Sequence, residues 1–278
     1  MNKNTLEIVL LKGEEILKEA GILEAKLDAW YLLEYYFHIT RSEFFLNPRK
    51  EINPSMTKEY LSLIQKRADR IPLQYITGEQ EFMGLTYKVT PDVLIPRQDT
   101  ETLVEEVMKV ANHKKVLDLC TGSGCIIISL SVLCNLEKAL GTDISKEALA
   151  IAKENASNHQ AEVIFLEGNL LESVTESFDI IVSNPPYIPT TDIDGLMTEV
   201  REHEPILALD GREDGLYFYR KIVKEAPNYL NPGGMLFLEI GYNQGEALMN
   251  LLGESGYEDI RLIKDLAGHN RVVYGRIQ

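Results

Sequence analysis

Cysteine and long apolar runs are both scarce in this sequence. Three cysteines among 278 residues, without a paired spacing, fit reduced thiols rather than a disulfide framework. Apolar residues never continue for the ~18 positions that a membrane-spanning helix needs. The first predicted helix carries charged residues instead of an apolar signal segment. We therefore expect a soluble protein of the cytoplasm that has no contact with a membrane.

Positive charge is also in short supply. The sequence has 28 Lys and Arg against 43 Asp and Glu, which gives a formal net charge of −15. Its basic residues are dispersed and form no cluster longer than a pair, such as Arg49-Lys50 and Lys114-Lys115. Nucleic-acid-binding proteins usually carry basic patches, because phosphate contacts dominate their affinity. The composition therefore predicts no direct nucleic-acid binding and favours a protein partner whose own surface is basic. The histidines are scattered without the spacing of metal ligands, so no metal site is expected.

The most informative motif is Asn184-Pro185-Pro186-Tyr187, which directly follows the apolar run 178–183. Such a run predicts a buried strand of a parallel sheet, and two successive prolines end it in a stiff loop. Open α/β sheets bind their ligands at this end of their strands. An amide oxygen, neighbouring carbonyls and an aromatic ring suit a planar NH2 group. We therefore take Asn184, Pro185 and Tyr187 as candidate catalytic residues, and all four residues, including Pro186, as candidate substrate-binding residues.

A glycine-rich turn lies upstream of this loop. The run 116–119 predicts a strand before the turn, and the apolar run 126–133 predicts a helix after it. Strand, glycine turn and helix form the first unit of a nucleotide-binding α/β domain, in which the helix amides face the ligand. Ile127 occupies the place of the third glycine of the dinucleotide fingerprint, which disfavours a pyrophosphate and leaves room for a smaller ligand. The candidate cofactor-binding residues of this turn are Cys120, Thr121, Gly122, Ser123 and Gly124.

The next two predicted strands each lead to a polar residue. Asp143 follows the strand 138–142, where it could accept hydrogen bonds from both hydroxyls of a ribose. It could instead cap the helix that begins near Ser145, but Ser145 itself suits that role. After the strand 163–166, Asn169 could reach an adenine edge while Leu170 packs on the ring, although Asn is also an ordinary turn residue. Together these residues predict a nucleoside site.

Further segments along nearly the whole chain carry a family resemblance. They are Pro72-Leu73-Gln74-Tyr75-Ile76, Gly78, Glu81-Phe82, Gly84-Leu85, Val93-Leu94-Ile95-Pro96-Arg97, Asp99-Thr100-Glu101, Glu204-Pro205, Ala208-Leu209, residues 211–216, Glu239-Ile240-Gly241, Asp265, Gly268 and Arg271-Val272-Val273. With these segments, the glycine turn and the Asn-Pro-Pro-Tyr loop, the sequence resembles the glutamine N5-methyltransferases of peptide chain release factors, which are class I methyltransferases. The loop alone is shared with DNA and RNA adenine methyltransferases, and the flanking segments point to the protein-glutamine branch.

The resemblance implies S-adenosyl-L-methionine as the methyl donor and a peptide chain release factor as the protein substrate and partner. The methyl group would go to the side-chain N5 of the glutamine in the release factor's Gly-Gly-Gln (GGQ) loop. The implied fold is α/β: a Rossmann-like seven-stranded methyltransferase sheet with an N-terminal helical bundle domain joined by a β-hairpin. Asn184 would contact the cofactor as well as the substrate, and the protein is expected to be a monomer.

The sequence departs from the family pattern at two positions. Cys120 replaces the usual glycine of the turn, and Gln98 replaces the usual second proline. Because a cysteine is small, cofactor binding should survive, but a thiol beside the sulfonium could make the enzyme sensitive to oxidants.

The chain divides into three predicted regions. Residues 1–70 form a helical domain which, by resemblance, helps to recognise the release factor. Residues 71–96 form a linker and a β-hairpin with its turn at Thr90-Pro91-Asp92, and residues 97–278 form the methyltransferase domain. Within the last region, residues 188–212 show little periodicity, which predicts a functional loop that walls the substrate channel.

Three other functions agree with parts of the pattern. An adenine N6-methyltransferase would orient an exocyclic NH2 with the same loop, but it should carry a basic groove or an additional nucleic-acid-binding domain. A non-catalytic interaction protein would be expected to have lost the acid, the glycines or the loop Asn, all of which are present. A dehydrogenase is disfavoured by Ile127.

Overall fold

The computed structural model describes residues 4–278, which form two compact units. The smaller unit contains the chain as far as Gly78 together with Met197–His203, and the larger unit contains Glu79–Leu196 and Glu204–Gln278. The α-helices are α1 (Leu6–Glu19), α2 (Ala25–Phe37), α3 (Arg41–Leu46), α4 (Pro54–Ala68), α5 (Leu73–Thr77), α6 (Gln98–Met108), α7 (Cys125–Leu133), α8 (Lys146–Asn158), α9 (Thr198–His203), α10 (Tyr217–Glu225) and α11 (Gly245–Glu254). The strands are β1 (Glu79–Phe82), β2 (Leu85–Lys88), β3 (Lys115–Leu119), β4 (Lys138–Asp143), β5 (Ile164–Glu167), β6 (Phe178–Ser183), β7 (Leu230–Glu239), β8 (Glu258–Lys264) and β9 (Asn270–Arg276). Between residues 4 and 278, no helix is both long and apolar enough to cross a bilayer.

Capping groups explain where the helices of the smaller unit begin. Asn53 caps α4 by accepting a hydrogen bond from the N–H of Met56 at 2.8 Å, and Pro54 takes the first helical position, where no N–H is needed. Thr40 and Glu43 form a capping box at the start of α3. The prediction of an N-terminal helical region is confirmed.

A buried ion cluster holds the segment Met197–His203 in the smaller unit. Arg67 Nε lies 2.7 Å from Asp28 Oδ2, and Arg67 Nη2 lies 3.1 Å from Glu199 Oε1. Arg70 Nη1 contacts the same Glu199 oxygen at 3.3 Å. These contacts tie the distant segment to the N-terminal helices. Loss of one member would leave an uncompensated buried charge, which costs about 3–5 kcal/mol.

The hairpin of the larger unit turns earlier than predicted. Strands β1 and β2 pair antiparallel, with Phe82 opposite Leu85, so that Met83 and Gly84 form a two-residue turn. Both turn residues have positive φ, 52° for Met83 and 72° for Gly84, as a type I′ hairpin requires. The prediction of the turn at Thr90-Pro91-Asp92 was therefore wrong, because a non-glycine residue at positive φ concealed the true turn. Residues 93–95 belong to no strand.

The core of the larger unit is a seven-stranded sheet in the order β5-β4-β3-β6-β7-β9-β8. Strands β3 to β7 run parallel, whereas β9 pairs antiparallel with both β7 and β8. This arrangement confirms the predicted Rossmann-like α/β fold, and an antiparallel pair, β9 and β8, lies at one edge. The chain moves outward from β3 through β4 to β5 and then returns to β6 beside β3. A crevice for a ligand is expected at the carboxyl ends of the strands where the order reverses in this way.

Both faces of the sheet are buried. Leu117 and Leu119 of β3 pack in a cluster that includes residues of α10 and α11, whereas Val116 packs in a second cluster with residues of α6 and α7. Phe82 and Tyr87 of the hairpin belong to the second cluster. Because parallel strands are covered on both sides, their sequences are almost continuously apolar, which is why the sequence pattern revealed them.

The segment 188–212 contains short helical elements. They are a 3-10 helix (Thr190–Gly195), helix α9 and a second 3-10 helix (Ile206–Ala208). The prediction that this segment lacks regular structure was wrong in this respect. Elements of six residues or fewer do not complete enough turns for a periodic apolar pattern to appear in the sequence.

Candidate active site

A cavity of about 270 Å³ lies at the carboxyl edge of the sheet. Strands β3, β4 and β6 each end at this edge, and β5 ends beside them, so the residues that follow them meet in space although the sequence separates them. Seven of the predicted site residues line this cavity, namely Cys120, Gly122, Asp143, Asn169, Leu170, Asn184 and Pro186. The turn, the acid and the Asn-Pro-Pro-Tyr loop thus contribute to one site.

Asp143 is held by the backbone on both sides. Its Oδ2 accepts a hydrogen bond from Gly122 N at 2.8 Å, and its Oδ1 accepts one from Ser145 N at 2.9 Å. Burial raises the pKa of Asp143 above its ordinary value, and these backbone N–H groups oppose that rise. Ser145 caps α8 through its own hydroxyl, which accepts from Ala148 N at 3.1 Å. Each carboxylate oxygen of Asp143 therefore keeps a lone pair for a further donor, such as a ribose hydroxyl.

Gly122 and Gly124 have different structural roles. Gly122 has a φ of 55°, and a Cβ on it would meet no atom within 4 Å, which leaves open space beside its backbone in the cavity that it lines. Gly124 has a φ of 81°, and a Cβ there would come within 2.7 Å of Ile128 Cδ1. Gly122 thus allows close approach of a ligand, whereas Gly124 allows close packing of the turn against α7.

Cys120 occupies a backbone conformation that suits glycine. Its φ of 58° lies in the left-handed region, where a residue with a side chain is strained by on the order of 1–3 kcal/mol. Burial first, and then the nearby carboxyls of Asp143 and Asp118, raise the pKa of the Cys120 thiol well above its ordinary range. A thiol that stays protonated is a poor nucleophile, so the structure argues against the predicted sensitivity to oxidants.

Thr121 and Ser123 do not line the main cavity. Both are buried, and both line a second cavity of about 40 Å³ together with Cys120, Gly122 and Asn184. The Thr121 hydroxyl donates a hydrogen bond to Asp118 Oδ2 at 2.6 Å. Thr121 thereby stabilises the turn itself.

Asn169 and Leu170 follow β5. Leu170 is buried with a positive φ of 55°, and Asn169 Nδ2 donates to Glu172 Oε1 at 3.1 Å. Thr142 supports this turn, because its hydroxyl donates to Leu170 O at 3.1 Å. The two residues thus form part of the cavity wall beside Asp143.

The Asn-Pro-Pro-Tyr loop is anchored at both ends. Asn184 Nδ2 donates to Thr100 Oγ1 of α6 at 3.4 Å, and Tyr187 O accepts from Gln244 Nε2 at 3.0 Å. Pro185 is buried, and the Tyr187 ring packs against the core cluster that includes α10. Burial raises the pKa of Tyr187 to about 12, so its phenol stays neutral. Of the four loop residues, Asn184 and Pro186 line the main cavity.

Two glycines lie directly against the Tyr187 backbone of this loop. A Cβ on Gly211 would lie 2.7 Å from both Tyr187 C and Tyr187 Cα, and a Cβ on Gly215 would lie 2.3 Å from Tyr187 O. Gly211 N also donates to Ile188 O at 2.8 Å. The chain can pass this close to Tyr187 only where no side chain intervenes.

Several residues that the sequence did not predict as site residues also line the main cavity. They are Asp92, Val93, Leu94, Ile144, Ser145, Gly168, Pro205, Leu207, Ala208, Arg212, Tyr217, Phe218 and Lys221. Val93 and Leu94 follow the predicted hairpin turn, but they belong to no strand, as the prolines at 91 and 96 on either side of them indicate. Pro205, Ala208 and Arg212 lie in family motifs whose structural role the sequence did not reveal.

The residues present fit S-adenosylmethionine. Asp143 offers a carboxylate for ribose hydroxyls, Gly122 offers backbone at close range, and Leu170 and Phe218 offer apolar surface for a flat ring. Asn184 lines both the main and the smaller cavity, which places a polar side chain where these two spaces meet.

Family models match both parts of the chain. The PrmC N-terminal domain matches residues 9–78, and the methyltransferase small domain matches residues 98–200. The chain is 46% identical over 275 residues to the release factor glutamine methyltransferase of Geobacter sulfurreducens, which covers 98% of this chain and 97% of that protein. It is 41% identical over 269 residues to the release factor glutamine methyltransferase of Caulobacter vibrioides, with coverages of 95% and 93%.

Solved structures resemble the larger part of the chain in fold. A methyltransferase from Pyrococcus furiosus superposes with a TM-score of 0.55 at 20% identity, covering 69% of this chain and 89% of that one. A 16S rRNA N2 G1207 methyltransferase of T. thermophilus, solved with AdoMet and guanosine, gives a TM-score of 0.52 at 18% identity, covering 72% and 50%. Together with identities above 40% to curated relatives over nearly their whole length, these findings establish that the chain belongs to the release factor glutamine methyltransferase family and is an S-adenosylmethionine-dependent protein-glutamine methyltransferase.

Proposed function

We propose that this enzyme methylates the side-chain amide nitrogen, N5, of the glutamine in the Gly-Gly-Gln loop of a peptide chain release factor. The observation that carries the proposal is Asn184, an amide side chain at the end of β6 that lines the cavity also lined by Asp143 and Gly122. The release factor would be the protein partner, and the cytoplasm would be the compartment. The monomeric state, the lack of nucleic-acid binding and the role of the N-terminal helices in recognition stay predictions.

The substrate amide needs help to react. Its nitrogen lone pair is delocalised into the carbonyl, so methylation benefits when that lone pair is aimed at the methyl group. S-adenosylmethionine, when bound, supplies an electrophilic methyl group on a sulfonium. The protein's task is then to orient the amide, and correct orientation can contribute about 7–11 kcal/mol in favourable cases.

Asn184 and Pro185 supply the acceptors for this orientation. Asn184 Oδ1 and the carbonyl of Pro185 would each accept one N–H of the substrate amide. These hydrogen bonds would strengthen as positive charge develops on nitrogen, so they would stabilise the transition state more than the ground state. Tyr187 would shape the loop rather than exchange a proton, since burial raises the pKa of its phenol to about 12. The cationic N-methylated amide that the transfer first forms is very acidic, so it would lose its extra proton without a dedicated base and leave the neutral N-methyl amide.

The first experiment uses methyl-labelled S-adenosylmethionine and a full-length release factor, with peptide mass spectrometry to locate the label. We expect the label on the glutamine of the Gly-Gly-Gln loop. Transfer to adenine in DNA or RNA instead would overturn the proposed substrate while leaving the role of the loop intact.

Asn184→Ala tests the role of the side chain. We expect kcat to fall at least ~100-fold, because removing one preorganised hydrogen-bonding group in an active site commonly has this effect. The Kd for S-adenosylmethionine, measured by calorimetry, should stay within about twofold of the wild-type value. A kcat within roughly threefold of wild type would remove Asn184 from its central role.

A further inference from the structure

Glu239 is a buried carboxylate beside Asn184 of the Asn-Pro-Pro-Tyr loop. It is the last residue of β7, its exposed fraction is 1%, and its Oε2 accepts no hydrogen bond from any residue between 4 and 278. The side chains of Thr100 and Asn184 lie within hydrogen-bonding reach of its carboxylate. Burial raises the pKa of Glu239 to about 7, while these two side chains and Arg271 oppose the rise. The titratable or charged groups that face it come from α6, α7, the Asn-Pro-Pro-Tyr loop, α10 and β9: Asp99, Cys125, Tyr187, Tyr219 and Arg271.

When Glu239 is ionised, it fixes the direction of the hydrogen bonds among Glu239, Thr100 and Asn184. Glu239 can only accept hydrogen bonds, so the single hydroxyl proton of Thr100 points to it. Thr100 Oγ1 then faces Asn184 as an acceptor, and the atom of Asn184 that lies 3.4 Å from it is the donor Nδ2. With Nδ2 committed to Thr100 and Glu239, Oδ1 is the atom of Asn184 left to accept from a ligand.

The opposite orientation of the Asn184 amide would be unfavourable. It would turn Oδ1 toward an oxygen that has no proton to give and toward a buried carboxylate. It would also present Nδ2, a donor, to the donor N–H groups of the substrate. A buried polar group without a hydrogen-bond partner is unfavourable, because no water reaches it to replace that partner. The orientation of the Asn184 amide therefore matters for catalysis.

We propose that Thr100 and Glu239 are positioning residues that fix the amide of Asn184 with its oxygen toward the substrate. They act through Asn184, and neither of them lines the main cavity. This inference rests on the proposed function, in which Asn184 Oδ1 accepts an N–H of the substrate glutamine. It adds two residues, from α6 and β7, to the machinery that aligns the substrate.

The primary test is a pair of substitutions at Thr100. Thr100→Val keeps the shape and removes the hydroxyl, whereas Thr100→Ser restores a hydroxyl at the same place. We expect Thr100→Val to lower kcat at least ~10-fold while KM for the release factor and Kd for S-adenosylmethionine change by less than about threefold. Thr100→Ser should recover most of the lost kcat. Equal kcat in the two variants would overturn the role of Thr100.

Glu239 is tested with Glu239→Met, which removes all acceptors at similar length, and with Glu239→Gln, which keeps one. We expect kcat to decrease in the order Glu, Gln, Met, with a loss of at least ~10-fold in the Met variant. A normal Kd for S-adenosylmethionine would establish that the variants fold. A Met variant within about threefold of wild-type kcat would exclude Glu239 from positioning.

A double-variant cycle separates positioning from general damage. In an Asn184→Ala background, Thr100→Val should change the residual rate by less than about twofold, because the side chain that it orients is gone. An undiminished loss in that background would mean that Thr100 acts elsewhere, and would overturn the inference. Failure of the proposed function is distinguishable, because the wild-type enzyme would then place no label on the release-factor glutamine.

Discussion

Gly211→Ala should disturb the catalytic loop by a steric route alone. Gly211 does not have a positive φ, so the added methyl group meets no backbone strain. Its Cβ would instead lie 2.7 Å from the carbonyl carbon and from Cα of Tyr187. Those are backbone atoms in a loop that is anchored at Asn184 and at Tyr187 O, so no flexible side chain can move aside.

The size of the effect follows from that distance. An ordinary carbon contact is about 3.4 Å or longer, so the loop must shift by several tenths of an ångström. Overpacking of this kind costs about 1–3 kcal/mol of folding free energy. Displacement of a reacting group by about 1 Å can lower the rate ~100-fold. A shift of about half that size gives an expected loss of roughly tenfold in kcat.

Two assays and one control examine this reasoning. Urea unfolding followed by circular dichroism measures the loss of stability, and transfer of labelled methyl to release factor measures kcat. Gly195→Ala is the matched control, because Gly195 lies in an exposed 3-10 helix and its Cβ would meet nothing within 4 Å. The control should resemble wild type in both assays. If Gly211→Ala behaves like Gly195→Ala, the close approach of Gly211 to the backbone of Tyr187 has no functional consequence.

Three further predictions concern a helix start, a ligand contact and a titration. Gln98→Pro should raise the free energy of unfolding by about 0.4–1 kcal/mol, because Gln98 is exposed at the first position of α6 and Pro is preorganised there; a lower urea midpoint would contradict this. Asp143→Asn should raise the Kd for S-adenosylmethionine at least ~10-fold in calorimetry, since one amide oxygen cannot accept from two backbone N–H groups and the ribose as well. An unchanged Kd would remove Asp143 from the site. The pKa of Glu239 is raised to about 7 and its carboxylate form orients Asn184, so kcat should rise with pH through about 7 and then level off. A flat profile between about pH 6 and pH 8, at saturating cofactor, would refute the link to Glu239.

Much of the fold could be predicted because its signals are local. Strands β3 and β6 are continuous apolar runs, since both faces of the sheet are covered, and such runs are recognisable without knowledge of their neighbours. The hairpin turn was misplaced because Met83 adopts a φ that sequence rules reserve mainly for Gly, Asn and Asp. The short helices within 188–212 were missed because each has too few residues for a periodic pattern.

The sequence by itself determined the family, the methyl donor and the groups that carry chemistry, since the glycine turn and the Asn-Pro-Pro-Tyr loop are contiguous motifs. Only the tertiary structure decided how these groups are held. Thr100 lies 84 positions from Asn184, and Gln244 lies 57 positions from Tyr187, yet each pair is joined by a hydrogen bond. A contact between distant segments depends on the order and register of the strands, which local patterns do not specify. The direction of the Asn184 amide therefore follows from the fold, because a buried carboxylate on β7 can only accept hydrogen bonds.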